Sequence, residues 1–398
     1  MQLPGADRVI VRHGDIGIKS SRVQSWMEET LGENLAAMLA HRSVPGEVLQ
    51  SWGRLFVDSP DPHAAADVAA DVFGVASASP ARSVESDLGA IGDALAAVAE
   101  ATYDGGSFAV EASRAGDHPF TSQEVCQVGG DAIWHAVEED FEPAVDLDDP
   151  DHRFEVEVRD ERAYVFRERI DGPGGFPVGT QDPLVALVSG GIDSPVAAWL
   201  AMKRGAPVLP VYFDLGAYGG VDHRARAVET VERLAGYAPG RDWALRIAPI
   251  GDALSALEDR VGDTRMLSVR RLMLQVAGEI AAETGARGIV TGESIGQKSS
   301  QTVTNLRATD AATEWPVHRP LLSFDKQEII ERAREIGTYS TATIDAGCNR
   351  IAPDQPETGA PLDRVEGAEP DHLADWAGEA ATDCTVQPIE PAVDPRAE

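Results

Sequence analysis

The stretch LVSGGIDSPVAAWLAMKRG, residues 187–205, constrains what this chain can fold into more than any other. The run PLVALV leading into it is short, continuous and apolar, the pattern of a strand buried on both faces. Ser189, Gly190 and Gly191 follow as a turn of small residues, and Pro195 suits the first turn of a helix, where a missing N–H costs nothing. Val196, Leu200 and Met202 are spaced to face a sheet, and Gly205 stops the helix. A strand, a Gly-rich turn and a helix N-terminus converge backbone N–H groups and the positive end of the helix dipole on one point. Phosphate is the ligand such a turn is expected to take.

With 398 residues, 43% of them hydrophobic, the chain can bury two or three cores. It has no run of 18 apolar residues, so no membrane span or membrane partner is expected. The opening MQLPGADRVIVRHGD lacks the apolar stretch of a secretory signal. Cys126, Cys348 and Cys384 lie far apart, which excludes a disulfide framework or a metal-spaced cluster and fits a reducing cytoplasm. The net charge of −32, with 66 acidic residues, reads as adaptation to a high-salt interior. Overall charge therefore says nothing for or against nucleic-acid binding, and the lysines at 19, 203, 298 and 326 gain interest by their scarcity.

Residues 1–65 read as a strand, a turn and an amphipathic helix. Residues 66–171 carry a helix (ESDLGAIGDALAAVAEATY), a strand (SFAVEAS), a second helix (SQEVCQVGGDAIWHAVEE) and the strands FEVEVRD and AYVFRERI. DGPGGFPVGTQ, from 171, reads as a Gly/Pro-rich linker. Up to about residue 355, strands and helices then alternate, which predicts a doubly wound parallel sheet. Residues 356–398, rich in Asp, Glu, Pro and Ala, read as a flexible acidic tail with one helix near Leu373–Gly378.

Chemistry concentrates in the third stretch. APVLPVYFDL is a second buried strand, and ligands of such sheets sit beyond the carboxyl ends of strands, so Tyr212 and Phe213 are placed either to flank an adenine or to fill the core. RMLSVRRLMLQVAGEIAAETG makes a long helix in which one of Arg270 and Arg271 reaches a phosphate and the other is a surface charge. Gly292-Glu-Ser294-Ile-Gly296 matches the G-x-S-x-G of hydrolases, but the histidines downstream, His318 and His372, fall on a strand edge and in the tail. Gly296-Gln-Lys298-Ser299 resembles the end of a Walker A loop without its first glycine. Asp325 with Glu328 forms a capping box that leaves Lys326 in the first turn of a helix, against the dipole, where an anion site is expected.

SGGIDSPVA is the signature of the PP-loop ATP pyrophosphatases. Together with RRLMLQVAGEIA, TGESIGQKSSQT, PVHRPLLSFDKQEII and REIGTY, it resembles the tRNA 4-thiouridine synthase (ThiI) family over roughly residues 8–352. The resemblance implies a ferredoxin-like domain at 1–65, a THUMP RNA-binding domain at 66–171 and a PP-loop α/β catalytic domain at 172–355. It implies ATP and Mg²⁺ as cofactors, tRNA as partner, and a cysteine desulfurase or other sulfur donor; a homodimer and a role in sulfur supply for the thiamine thiazole stay open. The implied pyrophosphate turn is Ser189, Gly190, Gly191, Asp193 and Ser194, and the further ATP contacts are Leu187, Val188, Tyr212, Phe213, Arg270, Gly292 and Gln301. Asp193 and Lys326 match the family's essential acid and base positions, and Cys348 its catalytic-domain cysteine. No resident metal ligand is implied. The chain departs from members that carry a rhodanese domain with a second cysteine: only Cys384 stands in that region, as a partner thiol or a structural residue. The rival readings are another PP-loop tRNA-thiolating enzyme and a THUMP-type RNA-binding protein without catalysis.

Arg153, Arg159, Arg162, Arg167 and Arg169 cluster near the end of the second stretch, either as a local basic patch or as one half of a charge-alternating sheet face. Salt acts on this chain in two opposed ways. It shortens the Debye length from about 30 Å in dilute buffer to about 3 Å at 1 M, relieving self-repulsion, and it weakens phosphate contacts through lost counterion release. Folding is expected to dominate, so melting temperature and activity both rise with KCl into the molar range. Melting curves and tRNA binding recorded side by side across KCl check this; a chain fully folded and most active in low salt contradicts it.

Overall fold

A computed structural model describes residues 2–51, 53–219, 221–340 and 351–397. The chain divides into two compact units, Met1–Gly175 and Phe176–Glu398.

The first unit is built on one sheet. Its strands are β1 (Arg8–His13), β2 (Glu47–Ser51), β3 (Arg54–Asp58), β4 (Val75–Glu85), β5 (Ser107–Ala115), β6 (Ala144–Val145), β7 (His152–Arg159), β8 (Arg162–Phe166) and β9 (Ile170–Asp171). They run in the order β2-β3-β1-β4-β8-β7-β5-β6, with β9 against β4. The helices are α1 (Ser21–His41), α2 (Pro62–Ala69), α3 (Leu88–Thr102) and α4 (Ser122–Val137). The long strand β4 joins two halves, pairing β1 through Val75–Ala81 and β8 through Arg82–Glu85. Pro80, which has no N–H to give, falls between the residues paired to β9 and those paired to β8. The expected division at 65/66 therefore fails: it cuts α2, whose Ala65, Ala66 and Ala69 are buried.

Alternation along FEVEV sends Phe154, Val156 and Val158 into the core with Ile91, Leu95 and Val125 of α3 and α4. The opposite face carries Glu155 and Glu157, both buried. Arg12 (3.1 Å), Arg54 (3.0 Å) and Arg159 (2.5 Å) converge on Glu157, and Arg169 binds Glu155 at 2.9 Å. Burial raises the Glu157 pKa, but the three arginines outweigh it and hold the carboxyl below its ordinary value. The expected basic patch is thus largely neutralised within the sheet. Arg153 pairs with Glu111, and Arg167 donates to the Thr102 carbonyl (3.0 Å) and meets His152 (2.7 Å). Of the five, Arg162 alone shows no side-chain partner among the described residues.

The second unit is the doubly wound sheet that the alternation predicts. Its strands are β10 (Leu184–Leu187), β11 (Val208–Asp214), β12 (Ala244–Pro249), β13 (Ile289–Val290), β14 (Val317–His318) and β15 (Thr385–Pro388), in the order β14-β13-β10-β11-β12-β15. The first five are parallel, and β15 closes the edge antiparallel to β12. The helices are α5 (Asp193–Lys203), α6 (Val221–Ala235), α7 (Gly251–Arg260), α8 (Arg265–Thr284), α9 (Val303–Asp310), α10 (Lys326–Glu335), α11 (Leu362–Ala368) and α12 (Leu373–Thr382). The chain leaves β10 toward β11 on one side and returns to β13 on the other, so the topological switch point lies between β10 and β13. Helix α5 is buried almost all round, with Leu200 only half-buried, so its contact face is wider than Val196, Leu200 and Met202 alone.

The boundary between the units, Gly175/Phe176, falls inside the stretch from 171 read as a linker, and the backbone on either side of it is hydrogen-bonded within its own unit. Gly172 and Gly174 donate to Ala76 and Val75 in the first unit, and Phe176 and Gly179 to Lys203 and Gly205 in the second. One further expectation, the flexible tail, changes. The acidic tail is folded. Leu373, Ala377 and Ala380, at i, i+4 and i+7, pack against Leu272, Val276 and Ile280 of α8, and Ile389 N–H donates to the Trp243 carbonyl at 2.9 Å. Arg271, expected at the surface, is buried. It donates to Glu369 (2.8 Å), Glu366 (3.2 Å) and the Ala308 carbonyl (2.7 Å), locking the tail to α8 and α9. Arg271→Ala leaves Glu369 buried without its cation and is expected to cost about 3 kcal/mol. Chemical denaturation of the full chain at fixed KCl measures it; a loss under ~0.5 kcal/mol, the range of surface substitutions, contradicts the lock.

Candidate active site

The turn after β10 is ordered by its own hydroxyls. Ser194 Oγ accepts the Ser189 N–H at 2.9 Å and lies 3.2 Å from Ser189 Oγ, which in turn accepts the Gly191 N–H at 3.3 Å. Ser189, Gly190, Gly191, Asp193 and Ser194 are thereby held around the N-terminus of α5. Val188 is buried, with its N–H given to the Val211 carbonyl (2.9 Å), and Leu187 packs partly on the core. These two residues define the strand end from which the turn springs.

The loop after β13 closes on this turn. A Cβ on Gly292 would stand 2.7 Å from Ser194 N and 2.8 Å from Asp193 C, so only glycine admits the contact. The next residue, Glu293, is buried and binds Arg270 through one oxygen; the other accepts from Arg319 (2.8 Å) and Thr291 Oγ1 (3.1 Å). Arg319 continues to Asp310 at 2.5 Å. Arg270 Nε donates to Ser300 Oγ (3.0 Å). With the Gln301 amide oriented to satisfy both its ends, its oxygen accepts from Arg270 Nη2 (3.1 Å) and its nitrogen donates to the Ser294 carbonyl (2.8 Å). Arg270, Gly292 and Gln301 thus lie in one connected framework, with two of the five Arg270 N–H groups left for a ligand.

Across the turn, Lys326 Nζ donates to Asp193 Oδ1 at 2.8 Å. The capping box at Asp325 and Glu328 forms as expected, with Asp325 accepting from Gln327 and Glu328 N–H groups and Glu328 from Asp325 N–H. It seats Lys326 at the first position of α10, where the dipole opposes its charge and the Asp193 carboxylate offsets the cost.

The placement of Tyr212 and Phe213 differs from the ATP contacts the resemblance implies, whereas Ser294 is no nucleophile, as expected, and Cys384 takes the structural one of its two readings. Tyr212 and Phe213 are both buried, and Phe213 sits in the core with Val185 and Val211. Successive strand residues point to opposite faces, so the two rings cannot sandwich one adenine; what they bring to the sheet's edge is backbone. Ser294 is buried and donates to the Phe324 carbonyl, and no helix follows it directly, so it is no nucleophile elbow. Cys384 is half-buried beside the core; burial lifts its thiol pKa more than the nearby Arg246 lowers it, the state of a structural cysteine. Cys348 lies outside the described residues. Glu293 and Arg319 went unnoticed in the sequence; an acid between Gly292 and Ser294, at the end of a buried strand, was the available sign. Among the described residues no group of three His, Cys, Asp or Glu is arranged to hold a metal, and no helix is long and apolar enough to cross a membrane.

A phosphate-ready turn at the switch point of a parallel sheet, crossed by an acid–base pair, defines a nucleotide-binding α/β domain of the PP-loop class. Family models described as Thiamine biosynthesis protein (ThiI), THUMP domain and ThiI ferredoxin-like domain match residues 179–372, 85–168 and 8–79. A probable tRNA sulfurtransferase of Halobacterium salinarum is 62% identical, over 98% of this chain and 99% of that protein. One from Methanosarcina acetivorans is 42% identical, over 90% and 87%. A crystal structure of a 4-thiouridine synthetase with RNA and bound ATP matches with a TM-score of 0.85 at 31% identity, over 97% of this chain and 100% of that one. The chain belongs to the ThiI family of tRNA sulfurtransferases. The ferredoxin-like match ends at residue 79 and the THUMP match begins at 85, both within β4, where that strand changes partner, and not at residue 65.

Burial raises the Glu293 pKa, but Arg270 and Arg319 together pull it below the ordinary 4.5. A carboxyl depressed in the folded state contributes stability that is present above its unfolded pKa and lost as pH falls through the folded one. Glu293→Gln is therefore expected to cost about 2 kcal/mol at neutral pH. The gap from wild type should close as pH drops below about 4, read by urea unfolding at a series of pH values. A gap that is constant with pH contradicts the charge as its source.

Proposed function

We propose that the chain is an ATP-dependent sulfurtransferase that converts uridine in tRNA to 4-thiouridine. The observation that carries this reading is the Lys326–Asp193 contact across a turn built for phosphate, at the sheet's switch point. ATP enters the reading with its triphosphate on the Ser189–Ser194 turn and its base toward the β11 edge. The uracil C4 oxygen attacks the α-phosphorus, the bond to the β-phosphate breaks, and pyrophosphate leaves. Backbone N–H groups of the turn and the dipole of α5 stabilise the charge that develops on the leaving group. Lys326 and Arg270 neutralise phosphate oxygens.

The residues present suit Mg²⁺, which binds through one or two carboxylates and the substrate's own phosphates rather than a protein cage; Asp193 is the carboxylate at the turn. The ion would supply further charge neutralisation on the phosphates. In the second half, sulfur attacks C4 and AMP departs with the former C4 oxygen. Sulfide gives the product directly. A persulfide on Cys348 gives a mixed disulfide that a second thiol must reduce. The ferredoxin-like and THUMP domains bind the tRNA, by shape and phosphate contacts.

The two halves separate by mutation. Asp193→Ala should fold normally yet lose at least a hundredfold in ATP-dependent tRNA adenylation, the scale of removing a preorganised electrostatic group. Cys348→Ser should adenylate at the wild-type rate but form no 4-thiouridine with a desulfurase as sulfur source, while high free sulfide bypasses it. Pyrophosphate release and nucleoside analysis of the tRNA read the two steps. An Asp193→Ala chain that keeps near wild-type thiolation overturns the assignment.

A further inference from the structure

Gly190 packs closely against α6, and a side chain there would crowd it. A Cβ there would meet Arg226 Cβ at 3.2 Å, Arg226 Cδ at 3.5 Å and the His223 carbonyl at 3.5 Å. The missing Cβ therefore lets the stem of Arg226 run alongside the phosphate turn. Arg226 is 9% exposed, and its Nη1 is sealed from solvent with no hydrogen-bond partner. Among the described residues the other two arginines buried to this degree each face a carboxylate: Arg12 pairs with Glu157 at 3.1 Å and Arg271 with Glu369 at 2.8 Å. In a chain with 66 acidic residues a carboxylate is easily placed, yet no hydrogen bond or ion pair of the Arg226 guanidinium is found among the described residues. A buried, uncompensated guanidinium is costly. Beside an anion-binding turn, the group that compensates it is the anion.

We propose that Arg226 binds the pyrophosphate moiety of the nucleotide in the Ser189–Ser194 turn, a role that rests on the nucleotide reading above. The guanidinium gives planar, paired N–H donors to phosphate oxygens, which a lysine cannot reproduce. It would add to the turn's own donors from α6, whose Arg226 stem lies against Gly190. Its unpaired state before ligand arrives makes it a group whose electrostatic cost is relieved on binding.

The full-length chain in molar KCl tests this by calorimetry with pyrophosphate and, separately, AMP as probes. Arg226→Gln should weaken pyrophosphate binding roughly ten- to a hundredfold, the range for a lost charge-assisted contact. AMP binding should stay within about twofold of wild type, and Arg226→Lys should recover part of the loss. Because Arg226→Gln removes an unpaired buried charge, its ligand-free melting temperature should equal or exceed that of wild type. A structural arginine would behave oppositely, lowering the melting temperature and weakening both probes alike, and that result overturns the proposal. Unchanged pyrophosphate affinity in Arg226→Gln also overturns it. Wild type that binds neither probe overturns the nucleotide reading itself, a result distinct from either.

Discussion

The contact between Gly292 and the first turn of α5 sets the geometry of everything around it. Two loops that leave adjacent parallel strands meet there at backbone distance, 2.7 Å from where a Cβ would stand to Ser194 N. No side chain can serve as spacer, so the loop after β13 follows the phosphate turn wherever that turn goes. Glu293, one residue on, converts this backbone contact into an electrostatic frame. Its two oxygens hold Arg270 and Arg319, Arg270 holds Gln301, and Gln301 holds the Ser294 carbonyl. Preorganised donors around a phosphate site need not reorganise during reaction, which is where such sites gain most of their effect.

Charge economy explains the rest of the layout. An acidic chain has carboxylates to spare, and the structure uses them inside as well as outside. Glu157 gathers three arginines in the first unit, Glu293 two in the second, and Glu369 pins Arg271 under the tail. Breaking any of these leaves a buried charge alone, which costs more than the intact pair contributes. Arg226 stands out against this background because, among the described residues, its guanidinium makes no ion pair and its Nη1 has no hydrogen-bond partner.

How much of this was legible in the sequence depended on how local the signal was. The turn at 189–194 and the capping box at 325–328 are each written within a few consecutive residues, and both formed as read. The alternation of FEVEV was legible as a strand, but not the burial of both its faces, because a buried glutamate looks like a solvent-facing one until its arginines arrive from other strands. The tail was misjudged for a related reason. In an ordinary chain its Asp, Glu and Pro content signals disorder; in this one acidity is the background, and the informative residues were Leu373, Ala377 and Ala380 at helical spacing. Arg271 was indistinguishable from Arg270 in sequence, since adjacent helix positions point about 100° apart and only the packing says which is inside.

Salt therefore acts unequally on the two kinds of electrostatics in this molecule. Exposed acids repel over a Debye length, and molar KCl removes most of that repulsion. Buried pairs such as Arg319–Glu293, with both side chains 8% exposed, are screened far less. Conditions that let the acidic surface compact thus leave the frame of the site standing. The same conditions penalise any RNA grip that relies on neutralising phosphates. In the first unit Arg153, Arg159 and Arg169 are already paired to glutamates of their own unit. A tRNA-binding surface built from such a sheet gains little from counterion release, and recognition by shape and hydrogen bonding is the form of contact that keeps its strength in salt.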